Sequence, residues 1–248
     1  MGTCEFRHET IATLVVRMPA NSYAQYCGLA RALDVAGDRW ALLVVRELVP
    51  GPRRFTDLIE SLPGISRKVL TERLRGLERD GVVARRDLPP PAARQVYELT
   101  DDGRDLAGAM VPLIGWGARR LGRRRPDDSF QPRWAAIAMA SFADRSALAG
   151  VSETYQYLVG DSAFHFRAED GSIEVRDGVA PDPAVVVTTD EETWAAIATG
   201  ETTASSAADA GALSYAGDPR AVERVQRIFS REQLIAQADA AVGGGRRD

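Results

Sequence analysis

Residues 65–80 read ISRKVLTERLRGLERD and are followed by Gly81. Ser66 stands where a helix takes its N-cap, and Gly81 where the chain can leave a helix through a left-handed residue. Between them Leu70, Leu74 and Leu77 recur at i, i+4 and i+7, a single apolar stripe. Stepping about 100° per residue from Leu70 puts Lys68, Thr71, Glu72, Arg75 and Arg79 roughly 100–200° away. One face is therefore core, and the opposite face offers cations, a hydroxyl and an acid. A helix of this kind can lie in a major groove, where Arg and Lys reach guanine edges or phosphates. The same pattern also describes an amphipathic helix with a solvated charged face, so its neighbours decide.

Upstream, residues 26–35 carry Leu29, Leu33 and Val35, a short helix ended by Gly37 and Asp38. Residues 39–49, RWALLVVRELV, are the most apolar run of the first half and predict a buried helix stopped by Pro50-Gly51-Pro52. Phe55, Leu58, Ile59 and Leu62 line one face of another short helix, and Pro63-Gly64 turns the chain into Ser66. Two short helices joined by a tight glycine-containing turn, the second basic outside, make a helix-turn-helix. Downstream, residues 82–86 alternate as a strand. The LPPPAA run at 88–93 cannot continue it, because consecutive prolines lack ladder donors. Residues 94–99, RQVYEL, alternate again and pair back, so the hairpin is a wing with a stiff tip. Thr100 caps a helix expected over 101–122, with Asp101 and Asp102 at its positive end and a kink at Pro112. Its stripe of Leu106, Met110, Leu113, Ile114 and Trp116 either joins the core of its own domain or, more readily in front of so small a domain, is buried against a second copy.

The ordered set Cys27, Gly37-Asp38-Arg39-Trp40, Arg46-Glu47-Leu48, Gly51-Pro52-Arg53-Arg54-Phe55, Leu58, Pro63-Gly64-Ile65-Ser66, Leu70, Arg73-Leu74, Leu77-Glu78, Asp80-Gly81, Val96-Tyr97-Glu98-Leu99-Thr100 and Gly103 resembles the HxlR-type winged-helix transcription regulators, kin of the MarR group. The likeness covers about residues 24–120. It implies a homodimer bound to palindromic or pseudo-palindromic double-stranded operator DNA. By that resemblance Ser66, Arg67, Lys68, Thr71 and Arg75 sit on the recognition helix, Arg54 faces the DNA backbone at the preceding helix, and Arg86 and Arg94 flank the wing. Arg73 points near the core stripe, where a salt bridge competes with a DNA contact. Cys27 takes the place of a cysteine that in some members responds to oxidants or electrophiles, which makes it a candidate redox sensor; a buried, inert thiol is the alternative. Here Gly28 follows it where the family usually has proline.

Charge divides the chain. Residues 27–125 carry 19 Arg and Lys against 13 Asp and Glu, a net of +6, whereas residues 126–248 carry 10 against 20, a net of −10. Lys68 is the only lysine, so arginine abundance alone says little, but the asymmetry implies two units with different partners. Arg119, Arg120 and the arginines at 123–125 suit the negative end of a helix, and extra phosphate contact there stays open. After Pro126 the character changes. An alanine-rich helix is expected over 133–148, then strands over 153–159, 163–167 and 173–176 joined at Gly160-Asp161 and Asp170-Gly171. A continuous apolar strand over 184–188, a helix opened by Asp190, a short helix over 204–210, a strand over 211–217 and a helix capped by Asp218-Pro219 follow. Asp190, Trp194, Ile197, Gly200, then Asp209-Ala210, Leu213, Gly217-Asp218 and Ile228-Phe229 resemble the sterol-carrier-protein-like fold over about residues 132–230. That resemblance implies a sheet covered by helices around an apolar tunnel, hence an apolar small-molecule effector; the alternative is that side chains fill the tunnel. His165, alone on a strand, is read as a core or surface histidine rather than a base.

The fold class is thus α+β, a winged helix-turn-helix domain followed by a sterol-carrier-like domain with a mostly antiparallel sheet covered by helices. Residues 1–22 are expected to be disordered, with Met18 an alternative start; 23–125 form the DNA-binding and dimerisation domain, 126–132 a linker, 133–240 the ligand-binding domain and 241–248 a disordered tail. No run approaches the roughly 18–20 apolar residues of a membrane span, and no secretory pattern opens the chain, so no membrane partner and a cytoplasmic location are expected. Two cysteines and two histidines offer no ligand spacing for a metal, and no phosphate-binding or nucleophile-elbow motif occurs, so no cofactor, metal or catalytic role is expected. The expected function is sequence-specific regulation of transcription, with repression the expected sign. The alternatives are a hydrophobic-ligand carrier that uses its winged helix only to dimerise, and a Cys27 thiol sensor.

Overall fold

Leu70, Leu74 and Leu77 are 0, 1 and 1% exposed, so the stripe read from the sequence is the side of its helix that faces the core. A computed structural model describes residues 22–89, 94–122, 124, 125, 127–230, 234, 235 and 237. The first half runs α1 (Gly28–Ala36), α2 (Ala41–Leu48), α3 (Phe55–Ser61), α4 (Arg67–Arg79), β1 (Val83–Asp87), β2 (Gln95–Leu99) and α5 (Asp101–Ala118). Helix α2 is the buried element the apolar run predicted: Ala41, Val44 and Val45 are fully covered and meet the leucines of α4 and Leu58 of α3. Ser66 caps α4 by accepting from Val69 N (3.2 Å), and Gly81 leaves it at φ +75°.

Strands β1 and β2 pair antiparallel, Val83 opposite Leu99 and Asp87 opposite Gln95. Arg53 adds a one-residue third strand through its amide to Tyr97 O (2.9 Å) and its carbonyl from Tyr97 N (2.7 Å). The prolines and alanines at 90–93, read as the stiff tip, lie outside the described residues. Thr100 caps α5 by accepting from Gly103 N (3.0 Å). A Cβ on Gly103 would stand 2.1 Å from Val82 O, so only glycine lets α5 start this close to the wing. Helix α5 passes through Pro112 and stops at Ala118 rather than at 122. Arg120 N and Leu121 N bond three residues back, to Gly117 O and Ala118 O, the tighter geometry of a terminal turn.

The second half runs α6 (Pro132–Ser141), β3 (Ser152–Val159), β4 (Ser162–Glu169), β5 (Ser172–Asp177), β6 (Val185–Thr189), α7 (Glu191–Thr199), α8 (Ala204–Asp209), β7 (Leu213–Gly217) and α9 (Pro219–Ile228). The sheet order is β5-β4-β3-β6-β7, with β3 and β6 parallel and every other pair antiparallel. The single helix expected over 133–148 is two pieces: α6 ends at Ser141, and Arg145–Leu148 form a separate 3-10 turn. Asp144 causes the break. Its carboxylate accepts from Ser146 N (3.0 Å) and its own amide donates to Ile228 O, so its backbone serves a cap rather than a continued helix. Asp170 (φ +40°) and Gly171 (φ +83°) make the β4–β5 turn, the pair of left-handed residues that such a hairpin needs.

Tyr157 opposes Phe164 and Tyr155 opposes Phe166 across β3 and β4, putting all four rings on one sheet face. Tyr157 stacks on Phe164 (5.5 Å) and meets Phe166, Trp194 of α7 and Phe229 edge-on at 5.1, 5.5 and 6.3 Å. These rings occupy the space between sheet and helices where the family resemblance places a tunnel. On the opposite face Gln156, 2% exposed, donates to Phe164 O (2.9 Å) and accepts from Ala180 N (2.7 Å), which ties the loop after β5 across the sheet. His165 is half-buried beside it with Nδ1 3.1 Å from Gly178 O. Residues 1–21, including Cys4, and the tail 241–248 lie outside the described residues.

Candidate nucleic-acid interface

Helix α4 is held by its leucines and its cap, and that leaves the other side in solvent. Ser66, Arg67, Lys68, Glu72, Arg75 and Arg79 are exposed. Among the described residues no hydrogen bond or ion pair engages the side chains of Lys68 or Arg75, so both cations are available to an external anion. Arg67 lies 5.9 Å from the Phe55 ring, which restricts its reach. Thr71 is half-buried and donates its hydroxyl proton to Arg67 O (2.8 Å), leaving only acceptor capacity and a methyl for a partner. Arg73 binds Asp38 at 2.6 Å, the salt bridge that its direction near the core stripe anticipated.

Arg54 is exposed at the start of α3, where its amide donates to Asp57 (3.1 Å). Arg86 and Arg94 are exposed on the wing, and Arg86 is paired with Glu98 (2.9 Å). Among the described residues no ion pair engages Arg54, Lys68 or Arg75, whereas Arg86 must exchange a partner. Cys27 is the N-cap residue of α1 and is exposed in the single chain. The Ala30 and Leu29 amides near its thiol, at the start of α1, lower its pKa from the ordinary thiol value. Arg31, one turn on, is engaged with Asp34 (3.3 Å). Leu29, Leu33, Leu113 and Trp116 are exposed on α1 and α5.

The sequence reading passed over a second cluster, where the two halves meet. Glu47 of α2 is fully buried. Its carboxylate accepts from Arg46 Nη2 (2.7 Å), Arg133 Nε (3.1 Å) and Trp134 Nε1 (2.7 Å), the last two being residues of α6. Arg46 lies over the Trp134 ring (4.1 Å). Arg53, 8% exposed, donates from Nε to Glu47 O (3.0 Å) and from Nη2 to Asp177 at the end of β5. Burial first, and the nearby Arg53 charge second, lower the pKa of Arg133, while Glu47 and Asp177 oppose them. Gln131 reaches Ser61 O (3.4 Å), and Trp194 Nε1 donates to Pro132 O (3.0 Å). The segment expected to be a linker is thus fastened at its end to both domains. Only the motif Arg46-Glu47-Leu48, an acid inside an otherwise apolar helix, hinted at this hub.

No helix among the described residues is long and apolar enough to cross a membrane, and no group of three or more His, Cys, Asp or Glu among them is placed to hold a metal ion. The HxlR-like helix-turn-helix family matches residues 35–125, and the SCP-2 sterol transfer family matches residues 136–230. The regulator YvaP of Bacillus subtilis is 40% identical over 86 residues, which is 35% of this chain and 80% of that protein. The regulator Rv3095 of Mycobacterium tuberculosis is 43% identical over 95 residues, 38% of this chain and 60% of its own length. Both are described as uncharacterized HTH-type transcriptional regulators. Among solved structures, reduced YodB of B. subtilis is 32% identical with a TM-score of 0.35, over 42% of this chain and all of that one. The chain belongs to the HxlR-like helix-turn-helix family of transcriptional regulators and carries a domain of the SCP-2 sterol transfer family in its C-terminal half.

Proposed function

We propose that this protein represses transcription by presenting α4 twice, from a homodimer, to double-stranded operator DNA, and that its C-terminal domain takes a small-molecule effector. The observation that carries the DNA reading is the pair Lys68 and Arg75, exposed and without a partner among the described residues on the side of α4 opposite Leu70, Leu74 and Leu77. Arg54 and the wing arginines Arg86 and Arg94 supply backbone contacts around it. The exposed apolar residues of α1 and α5 support a dimer built on those helices, with operator half-sites about one helical turn or a multiple apart. The family match over 136–230 supports an apolar effector, which would have to displace part of the Tyr157, Phe164, Phe166 and Phe229 ring cluster to enter and would act only through a different affinity for two arrangements of the recognition helices. No catalytic step is assigned to any residue.

The test is a gel shift on a fragment of the protein's own promoter. Lys68→Ala with Arg75→Ala should abolish the shift and flatten its salt dependence, since released counterions scale with phosphate contacts. Unchanged binding and slope would sink the recognition helix and favour the carrier reading. Trp116→Ser should move the protein toward a monomer in light scattering and weaken operator binding with it.

A second reading, thiol sensing, is favoured by the exposed Cys27 and its lowered pKa. Two relatives support it by their titles: YodB is described in a diamide-treated form and HypR as a redox regulator. Cys27→Ser should remove any diamide response and leave the resting affinity intact.

A further inference from the structure

The seam between the two domains holds a solvent-open cleft of about 450 Å³. Arg53 enters it from the winged-helix domain; Gln131 and Arg133 come from the junction, and Asp161, Asp177 and Glu191 from the C-terminal domain. That volume falls in the range of small-molecule sites, and its lining is mostly charged or polar, unlike the aromatic core behind it. Arg53 spends Nε on Glu47 O and Nη2 on Asp177; Arg133 spends Nε on Glu47 and Nη2 on Gln131. Among the described residues neither Nη1 has an acceptor.

Charge limits what the cleft can take. At the seam Arg46, Arg53 and Arg133 are matched by Glu47 and Asp177, and Asp161 and Glu191 on the cleft wall bring the acids to four against three arginines, so the arginines offer hydrogen-bond donors rather than surplus charge. Two arginines in one partly buried cluster repel each other, and the lowered pKa of Arg133 reflects both its burial and that repulsion. Planar guanidiniums with spare N–H groups match a carboxylate better than any other common anion except phosphate. The acids Asp161 and Glu191 in the lining disfavour phosphate and polycarboxylates, because a second or third negative charge would sit against them. They tolerate a neutral body or an amine.

We propose that this cleft is an effector site for a small monocarboxylate, amino acids included, whose carboxylate accepts from the Nη1 groups of Arg53 and Arg133. The site is separate from the apolar core of the C-terminal domain. It also has a direct route to the DNA-binding half: the Arg53 backbone is paired with Tyr97 of the wing, so a ligand that draws on its side chain bears on the wing sheet. Because the walls come from both domains, the ligand favours the arrangement in which they are joined.

Calorimetry on the full chain with benzoate and alanine as probes tests this, with citrate, inorganic phosphate and ethanolamine as comparisons. One site per chain should appear for benzoate or alanine and none for ethanolamine. Arg133→Gln should weaken binding at least tenfold. Because that change also disturbs Glu47, Ala163→Leu, which narrows the cleft without removing a charge, should do the same. The proposal is overturned if neither monocarboxylate binds, if Ala163→Leu binds as well as the parent, or if citrate or phosphate binds more tightly than both. Gel shifts run alongside keep the readings apart: an intact operator shift without carboxylate binding sinks this site alone, and carboxylate binding without any shift sinks only the DNA reading.

Discussion

The outer face of α4 and the seam at Glu47 use the same cationic side chain to opposite ends. On α4, Arg75 stands in solvent with Lys68 and has no protein partner among the described residues. At the seam Arg46, Arg53 and Arg133 are covered and spoken for by Glu47, Asp177 and the Trp134 ring. An exposed cation costs the fold nothing and keeps its charge for a partner. A covered one must be neutralised within the chain, and once it is, it couples the elements that carry the two charges. Residue type does not separate the two uses. Burial does.

Removing the acid at the hub should have the largest effect. Glu47→Ala leaves Arg46, Arg133 and the Trp134 N–H without their shared acceptor in a buried place, which should cost about 3–5 kcal/mol. Urea unfolding should show it as a lower midpoint, with the two halves separating into two transitions. A loss below about 1 kcal/mol with a single transition would mean the seam does not couple the domains.

On α4 the contrast runs the other way. Lys68→Ala or Arg75→Ala alone should leave the unfolding midpoint within about 0.5 kcal/mol of the parent. Each should cost about 1–3 kcal/mol of operator affinity if its partner is a base edge, or lower the salt slope by about 1 if it is a phosphate. A variant that loses stability instead would place that side chain with the seam arginines. Between the extremes stands Arg73, a quarter exposed and paired with an Asp38 that is more than a third exposed. Solvent screens such a pair, so Asp38→Ala should cost no more than about 1 kcal/mol and leave the salt slope alone.

The smallest effect is on reactivity. With its pKa held down by two backbone amides, the Cys27 thiol keeps thiolate character to lower pH than a free cysteine. Its alkylation rate by iodoacetamide should therefore rise through a midpoint displaced to lower pH relative to free cysteine. A midpoint at or above that of free cysteine would remove the basis of the sensor reading.

Much of the winged helix was legible because its signals are local. The stripe Leu70, Leu74, Leu77, the cap Ser66 and the left-handed exit Gly81 all lie within one stretch of chain, and each acts on its near neighbours. The same holds for Pro50-Gly51-Pro52 and for Asp170-Gly171. The helix expected over 133–148 failed for a matching reason: Asp144 breaks it with the help of Ile228, which is distant in sequence. At the interface the sequence placed Lys68 and Arg75 on the outer face, but it could not show that Thr71 spends its proton inside the helix or that Arg86 is held by Glu98.

Arg53 and Arg54 put the division in one dipeptide. Local pattern marks both as basic residues at the mouth of α3, and only the family resemblance singled out Arg54 for the DNA; nothing in the order of residues marked Arg53 for the interior. The sequence by itself determined the elements, the face that each helix buries and the presence of two differently charged halves, because hydrophobic periodicity, caps and turns act over a few residues. Only the tertiary structure decided that Arg53 turns inward to Asp177 while Arg54 stays in solvent. Likewise only the fold brought Glu47 to Arg133 and Trp134. Which charges meet across 86 residues of chain depends on how the two halves pack, and no local propensity encodes that.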